Sequence, residues 1–315
     1  MSIGSNMEPP PTASQTSAAE TATFNFIKWQ PLYATQKPYE ILLPLPPASE
    51  SESTTTGART PKVPRSNLIF EPHSVPVQDV RPLRDAFKLD IHGFEFVRHS
   101  TSVGGGSEFK QRSTIEGVYL PEMEKFLADY LRHDDDDDDS DEGVTGKEVK
   151  TVCFDYRIRE SIPPSEFALR TVNLEDGFDP LLPATHPHVD QSTKGAIQRV
   201  KRHMGDDSHK LLSEKGRVRI INIWRPLHKV RSWPLALCDA RTVNQRDLLT
   251  CDIVRRRYVG ETLFAQYSEH QKWYYLSDMD QNDVVLIKVY DSDSEVEAKR
   301  KLHLHTHLSS SSCTA

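Results

Sequence analysis

The stretch DVVLIKVYDS, residues 283–292, is apolar almost without a break and leaves through a polar exit. A short run rich in valine and isoleucine, too brief for a long helix, reads as a buried strand. Neighbouring stretches have the same texture. GRVRIINIWRPL (216–227) is β-branched and aromatic, and KTVCFDYRIRES (150–161) alternates apolar with polar residues. HQKWYYLSDMD (270–280) reads as a strand closing in a turn, and FKLDIHGFEFVRHST (87–101) as a strand pair turning at His-Gly. Two segments have helical spacing instead: PEMEKFLADYLRH (121–133), with a stripe of Met123, Phe126, Leu127, Tyr130 and Leu131, and TKGAIQRVKRHMGDDSHKLLSE (193–214), with a basic face. Short strands with a few outlying helices predict a mainly β, α+β chain: a β-barrel or jelly roll carrying helices on one side. A doubly wound dinucleotide fold is disfavoured, because no Gly-x-Gly-x-x-Gly follows a strand; GGGS (104–107) reads as a loop tip.

At 315 residues and 37% apolar content the chain can bury a full core. Its formal charge of -7 comes largely from HDDDDDDSDEG (133–143), and the remainder is close to balanced. No dominant basic field is left to hold nucleic acid. Four cysteines, Cys153, Cys238, Cys251 and Cys313, are widely spaced without a Cys-x-x-Cys pair, as expected of reduced thiols. No signal core and no membrane-length apolar run is present, so the expected location is cytoplasmic. Residues 1–22 read as a disordered tail, 23–308 as one domain interrupted by low-complexity loops at 46–66 and 133–149, and 309–315 as a disordered end.

THPHVDQS (185–192) crowds His186, His188 and Asp190 into five positions. Residues two apart on an extended chain project on the same side, so His188 and Asp190 point together. His186 joins them if the backbone stays extended through Pro187. A His-x-Asp pair supplies two thirds of the two-histidine, one-carboxylate triad that binds non-haem Fe(II) and leaves positions open for cosubstrate and oxygen. A solvated polar loop is the alternative. Candidates for the third ligand follow the strand at 283–292, where His303, His305 and His307 alternate. Trp224, Trp233, Trp273, Tyr274 and Tyr275 suit either an apolar pocket or the core. Arg157 and Arg159 face one way, toward an anionic ligand or toward solvent; Asp239 and Asp252 read as turn or cap residues.

The motifs HPHVDQS, INIWRPL, WPLALCDARTV, DLLTCDIV and GETLFAQYSEHQKWYYLSDMDQNDVVLIKVYDS, with the earlier FKLDIHGFEFVRHST and CFDYRIRES, resemble the fungal AsaB-type hydroxylase/desaturase family. The resemblance runs over roughly residues 24–303. It implies a double-stranded β-helix, Fe(II) and 2-oxoglutarate as cofactors, and hydroxylation or desaturation of a small secondary metabolite. It places the family's His-x-Asp on His188 and Asp190, and its distal histidine, within AKRKLH (298–303), on His303, with His305 as rival. The family's late arginine, natural partner of the cosubstrate's far carboxylate, has no counterpart in LSSSSCTA (308–315); Arg225 and Arg241 are the candidate substitutes. A second functional reading is a non-catalytic relative that keeps the barrel and binds a metabolite or a protein. Methyl transfer is disfavoured by the absence of a glycine-rich strand-to-helix turn.

Overall fold

The computed structural model describes residues 19–43, 64–136, 149–170, 172–213, 216–293 and 304–308. The expected C-terminal tail at 309–315 and most of both low-complexity loops lie outside the described residues, as does His303. In chain order the elements are β1 (Glu20–Ile27), β2 (Tyr39–Ile41), β3 (Phe70–Asp79), α1 (Leu89–His92) and β4 (Phe94–Arg98). They continue with α2 (Arg112–Thr114), α3 (Leu120–Asp136), α4 (Pro164–Phe167), β5 (His188–Val189), α5 (Thr193–Met204) and α6 (Asp207–Ser213). The last seven are strands: β6 (Arg219–Trp224), β7 (Leu235–Cys238), β8 (Leu248–Val254), β9 (Val259–Ala265), β10 (Trp273–Tyr275), β11 (Asp283–Asp291) and β12 (His305–His307).

Among the described residues the strands form two sheets, a large one in the order β1-β3-β10-β7-β12-β5-β9-β8-β2 and a small one in the order β4-β11-β6. The run that opened the sequence reading is the centre of the small sheet. β11 is antiparallel to β4 on one edge and to β6 on the other. Its two faces serve different cores. Val284 and Leu286 pack with Leu89 and Leu131 beneath α3, whereas Val285 and Ile287 meet Phe94, Phe96, Leu235 and Leu237 toward the large sheet. Burial on both sides is why the strand has no polar alternation. Each such side chain contributes roughly 1.5–3 kcal/mol when fully buried.

Register in the large sheet positions the site. Tyr274 of β10 lies opposite Leu237 of β7, Leu237 opposite His305 of β12, and His305 opposite His188 of β5. The row continues through Phe264 of β9 to Leu249 of β8. Directly paired residues share a face, so six strands contribute one row that places two histidines side by side.

Four expectations change. Residues 87–93 are not the first arm of a strand pair: α1 forms there and ends at Gly93, whose φ of 85° is the left-handed exit that glycine permits. KTVCFDYRIRES holds only one isolated bridge, Arg159 to Leu181. The helix expected over 193–214 is two helices, interrupted at Gly205 with φ of 53°. β1 begins at Glu20 within the stretch read as tail, because Ala22 is buried with Phe24 and Phe26.

Candidate metal centre

β5 is only two residues long, and its neighbours hold it in place. The Ala265 N–H donates to the Pro187 carbonyl at 3.0 Å, the Thr262 hydroxyl donates to the Val189 carbonyl, and the Ser192 N–H donates to the Glu261 carbonyl at 3.0 Å. Immediately afterwards Ser192 caps α5, its Oγ accepting from the Gly195 N–H at 3.0 Å. The His-x-Asp segment is therefore clamped between its neighbouring strands β12 and β9 and a capped helix.

His188, Asp190 and His305 offer one ligand atom each, all within 4.8 Å of one another. His188 Nε2 lies 3.4 Å from Asp190 Oδ1, and His305 Nε2 lies 3.8 Å from Asp190 Oδ2. The two imidazole centroids are 4.4 Å apart. His188 Nδ1 donates to the His186 carbonyl at 2.8 Å, which fixes the tautomer and leaves the Nε2 lone pair facing inward. Burial pushes the Asp190 carboxyl up, but His305, His188 and the Asn222 amide overcome it and hold it well below the usual carboxylate range. Asn222 reaches across from β6, its amide nitrogen donating to Asp190 Oδ2. Two imidazoles and an ionised carboxylate converging from one side form a donor set that suits a divalent first-row metal and leaves its other side open.

The remaining candidates sort by place. His186 is not part of this group; its ring lies against Phe70, tilted by 41° with centroids 3.8 Å apart, and burial, then the nearby His188, pushes its pKa down to about 4. His307 shares a strand face with His305 and lies 6.3 Å from the Trp224 ring; burial, then Arg159, pushes its pKa down to about 3. Arg225 is buried, and its donors go to the His99 carbonyl and Nδ1, the Gln281 carbonyl and the Tyr119 hydroxyl. That saturation gives Arg225 a structural task in place of the carboxylate contact considered for it. Arg241 forks onto Asp239, which also caps the 3-10 turn Ala240–Thr242. Trp273 and Tyr275 belong to the core. Asp252 pairs with Lys37.

Sequence reasoning missed Asn222. Its only signal was the alternation Ile220, Asn222, Trp224 on β6, which puts a polar residue on the same face as two apolar ones.

A family profile described as "Oxidoreductase/YMDC permease-like domain" matches residues 44–314. No helix among the described residues is long and apolar enough to cross a membrane. The chain is 31% identical to the Fe(II)/2-oxoglutarate-dependent dioxygenase nvfI of Aspergillus novofumigatus, over 72% of this chain and 73% of that protein. It is also 31% identical to the hydroxylase/desaturase CTB9 of Cercospora beticola, over 71% of this chain and 67% of that protein. A solved structure of the iron and alpha-ketoglutarate-dependent endoperoxidase NvfI superposes with a TM-score of 0.67 at 26% identity, covering 93% of this chain and 91% of that one.

Proposed function

We infer the function from one premise: the chain belongs to the family of fungal Fe(II)/2-oxoglutarate-dependent dioxygenases and hydroxylase/desaturases. Its two sheets are the jelly roll of that family, and it is an oxidoreductase with Fe(II) and 2-oxoglutarate as cofactors. The observation that carries the residue assignment is the convergence of His188 Nε2, the Asp190 carboxylate and His305 Nε2 within 4.8 Å. His188, Asp190 and His305 would hold the metal. When bound, Fe(II) with 2-oxoglutarate and oxygen supplies an oxidant strong enough to remove hydrogen from an unactivated C–H bond.

The chain's own residues account for the rest. His188 and His305, fixed as direct cross-strand partners, present their lone pairs without reorganisation. Asn222 holds the Asp190 carboxylate in one rotamer. Phe264 and Tyr274 lie in the same row, and the Trp224 ring is 6.3 Å from that of His307; these aromatic side chains would supply an apolar lining that limits water near the reacting carbon. Such a lining suits a small, largely apolar secondary metabolite, which would be hydroxylated or desaturated according to where its carbon is held.

Anaerobic Fe(II) titration followed by 2-oxoglutarate tests this. Wild type should develop a visible charge-transfer band. His188→Ala and His305→Ala should each weaken iron binding by more than about 100-fold, and His303→Ala should leave it intact. Loss of iron binding in His303→Ala with retention in His305→Ala would reassign the distal ligand. Wild type that binds no iron would make the chain a non-catalytic scaffold.

A further inference from the structure

We propose that the cleft between α5 and the β8–β9 turn is a second binding site, separate from the metal centre, for a soluble phosphate-bearing molecule. The proposal does not depend on the iron-oxygenase reading above.

The cleft begins as a sequence spacing. Gly195, Gln198, Arg199 and Arg202 fall at i, i+3, i+4 and i+7, so they form one stripe along α5. Ala196 and Val200, between them, are buried instead. The stripe lines a cleft of about 250 Å³ whose other wall is Tyr258 and Gly260, with Gln191 at one end. Two glycines let the elements approach this closely. A Cβ on Gly195 would come 2.8 Å from the Glu261 carbonyl oxygen, and one on Gly260 would come 3.3 Å from the Tyr258 ring. Tyr258 ties the walls together. The Arg199 and Arg202 guanidiniums lie 5.0 and 4.7 Å from its ring centroid, and Arg199 Nη2 donates to its hydroxyl at 2.9 Å. The turn that carries Tyr258 is closed by the Arg255 N–H, which donates to the Tyr258 carbonyl at 3.0 Å.

Charge gives the ligand its sign. Residues 193–204 carry Lys194, Arg199, Lys201 and Arg202 without an acid, and residues 253–260 carry Arg255, Arg256 and Arg257 without an acid. Among the described residues no carboxylate lies within ion-pair distance of Arg199 or Arg202. Acids of the neighbouring segments are engaged elsewhere: Glu261 accepts from Lys37 and Ser192, its Oε2 also lying 3.8 Å from Lys194, and Asp155 lies 3.7 Å from Arg157. Burial, then Arg199 and Arg202, lowers the pKa of the adjacent His203, as an uncompensated positive field does. Like charges one helical turn apart repel, and an anion accepting from both guanidiniums would relieve that. Arg199 spends a single donor on Tyr258 and Arg202 spends none. A phosphate group suits what is left, because its several oxygens take parallel, charge-assisted hydrogen bonds from two planar forks at once. Gln191 and Gln198 add amides for the atoms beside the phosphate. The small volume favours one phosphate group on a small molecule over an acidic protein surface.

Calorimetric titration of the full chain with pyrophosphate tests this at about 0.15 M salt, where exposed charges more than about 8 Å apart are largely screened. Wild type should bind with one-to-one stoichiometry. Arg202→Ala should weaken binding by about 10–100-fold and Arg199→Ala by at least as much. Arg202→Lys should fall between wild type and Arg202→Ala, because it keeps the charge without the fork. Lys201→Ala removes the same charge from the same helix outside the cleft, and should change affinity by less than about twofold. Both Arg202 variants should keep the wild-type unfolding midpoint; if the alanine variant does not, Arg202→Lys carries the comparison. No binding of pyrophosphate by wild type overturns the proposal. So does an equal loss in Lys201→Ala and Arg202→Ala, which would mean a diffuse basic face without a site. Hexa-aspartate, or phosphatidylcholine vesicles containing phosphatidic acid, bound more tightly than pyrophosphate would overturn it too, in favour of an acidic protein segment or a membrane surface respectively.

Discussion

Asp90, Arg217, Lys288 and Asp291 gather on the outer side of the small sheet, while His188, Asp190 and His305 gather on the inner row of the large one. Both clusters bury titratable groups, and they are built on opposite principles. In the first, every charge meets its opposite. Lys288 Nζ lies 2.6 Å from Asp90 and 3.0 Å from Asp291, and Arg217 Nη2 lies 2.6 Å from each. Two cations and two anions cancel, so the cluster needs nothing from outside. In the second, a carboxylate and two imidazole lone pairs converge within 4.8 Å, and basic atoms face one another. Such a donor set can take a cation between its members. Buried charge alone therefore does not mark a functional site; the sign and direction of what remains unbalanced does.

The largest test of this contrast is Lys288→Ala. The Lys288 side chain is 1% exposed, and removing it leaves the buried Asp291 carboxylate and the half-buried Asp90 carboxylate to share Arg217. Stability should fall by about 3–5 kcal/mol in denaturant unfolding. The folded fraction should still bind Fe(II) with wild-type affinity and gain thermal stability from it. His305→Ala should show the reverse, losing the iron-dependent gain while apo stability changes far less. A Lys288→Ala chain that folds normally and loses iron would invert the comparison.

Acid reaches the same contrast with a smaller effect. Burial pushes Asp90 and Asp291 up, but Lys288 and Arg217 outweigh it and hold both carboxyls below their ordinary value of 3.8. A depressed carboxylate pKa stabilises the fold above the unfolded value and loses that contribution as pH falls through the folded one. Unfolding free energy should thus be insensitive to these two groups down to about pH 5 and should fall progressively below pH 4. In Lys288→Ala the acid slope should be shallower, since one of the groups depressing both pKa values is gone. An equal slope in both proteins would mean that Lys288 does not set the charge state of the cluster.

How much of this was legible in the sequence follows from how local each cause is. β11, β6 and α3 were readable because their patterns are set by burial: an unbroken apolar run for a strand covered on both faces, a stripe for a helix covered on one. The pairing of His188 with Asp190 was readable from a spacing of two. Misreadings came where a short pattern has two solutions. FKLDIH alternates like a strand, but Gly93 at φ 85° lets it close as one helical turn. The choice among His303, His305 and His307 could not be made locally, because all three share a spacing and only the register His305 to His188 separates the described candidates. Asn222 was illegible as a site residue for the same reason: it reaches the centre from β6, a strand of the other sheet, whose position depends on the whole fold.

The smallest and sharpest effect is expected at Asn222. Its amide donates to Asp190 Oδ2, the oxygen that also faces His305 Nε2. It is the one uncharged polar link from the small sheet to the centre among the contacts described above, and it contributes orientation without altering the charge count. Asn222→Ala removes the donor and leaves all three ligand atoms in place. Iron affinity should fall by about 10–100-fold, within the range of lost hydrogen bonds to metal-ligating carboxylates, while the unfolding free energy shifts by about 1 kcal/mol. Asn222→Asp should be worse for iron than alanine at neutral pH, because a second carboxylate against Asp190 favours protonation of the pair. Its iron affinity should recover part of the loss as pH rises. If both variants bind iron like wild type, Asn222 merely fills space between the sheets, and the centre is organised by the β5–β12 register alone.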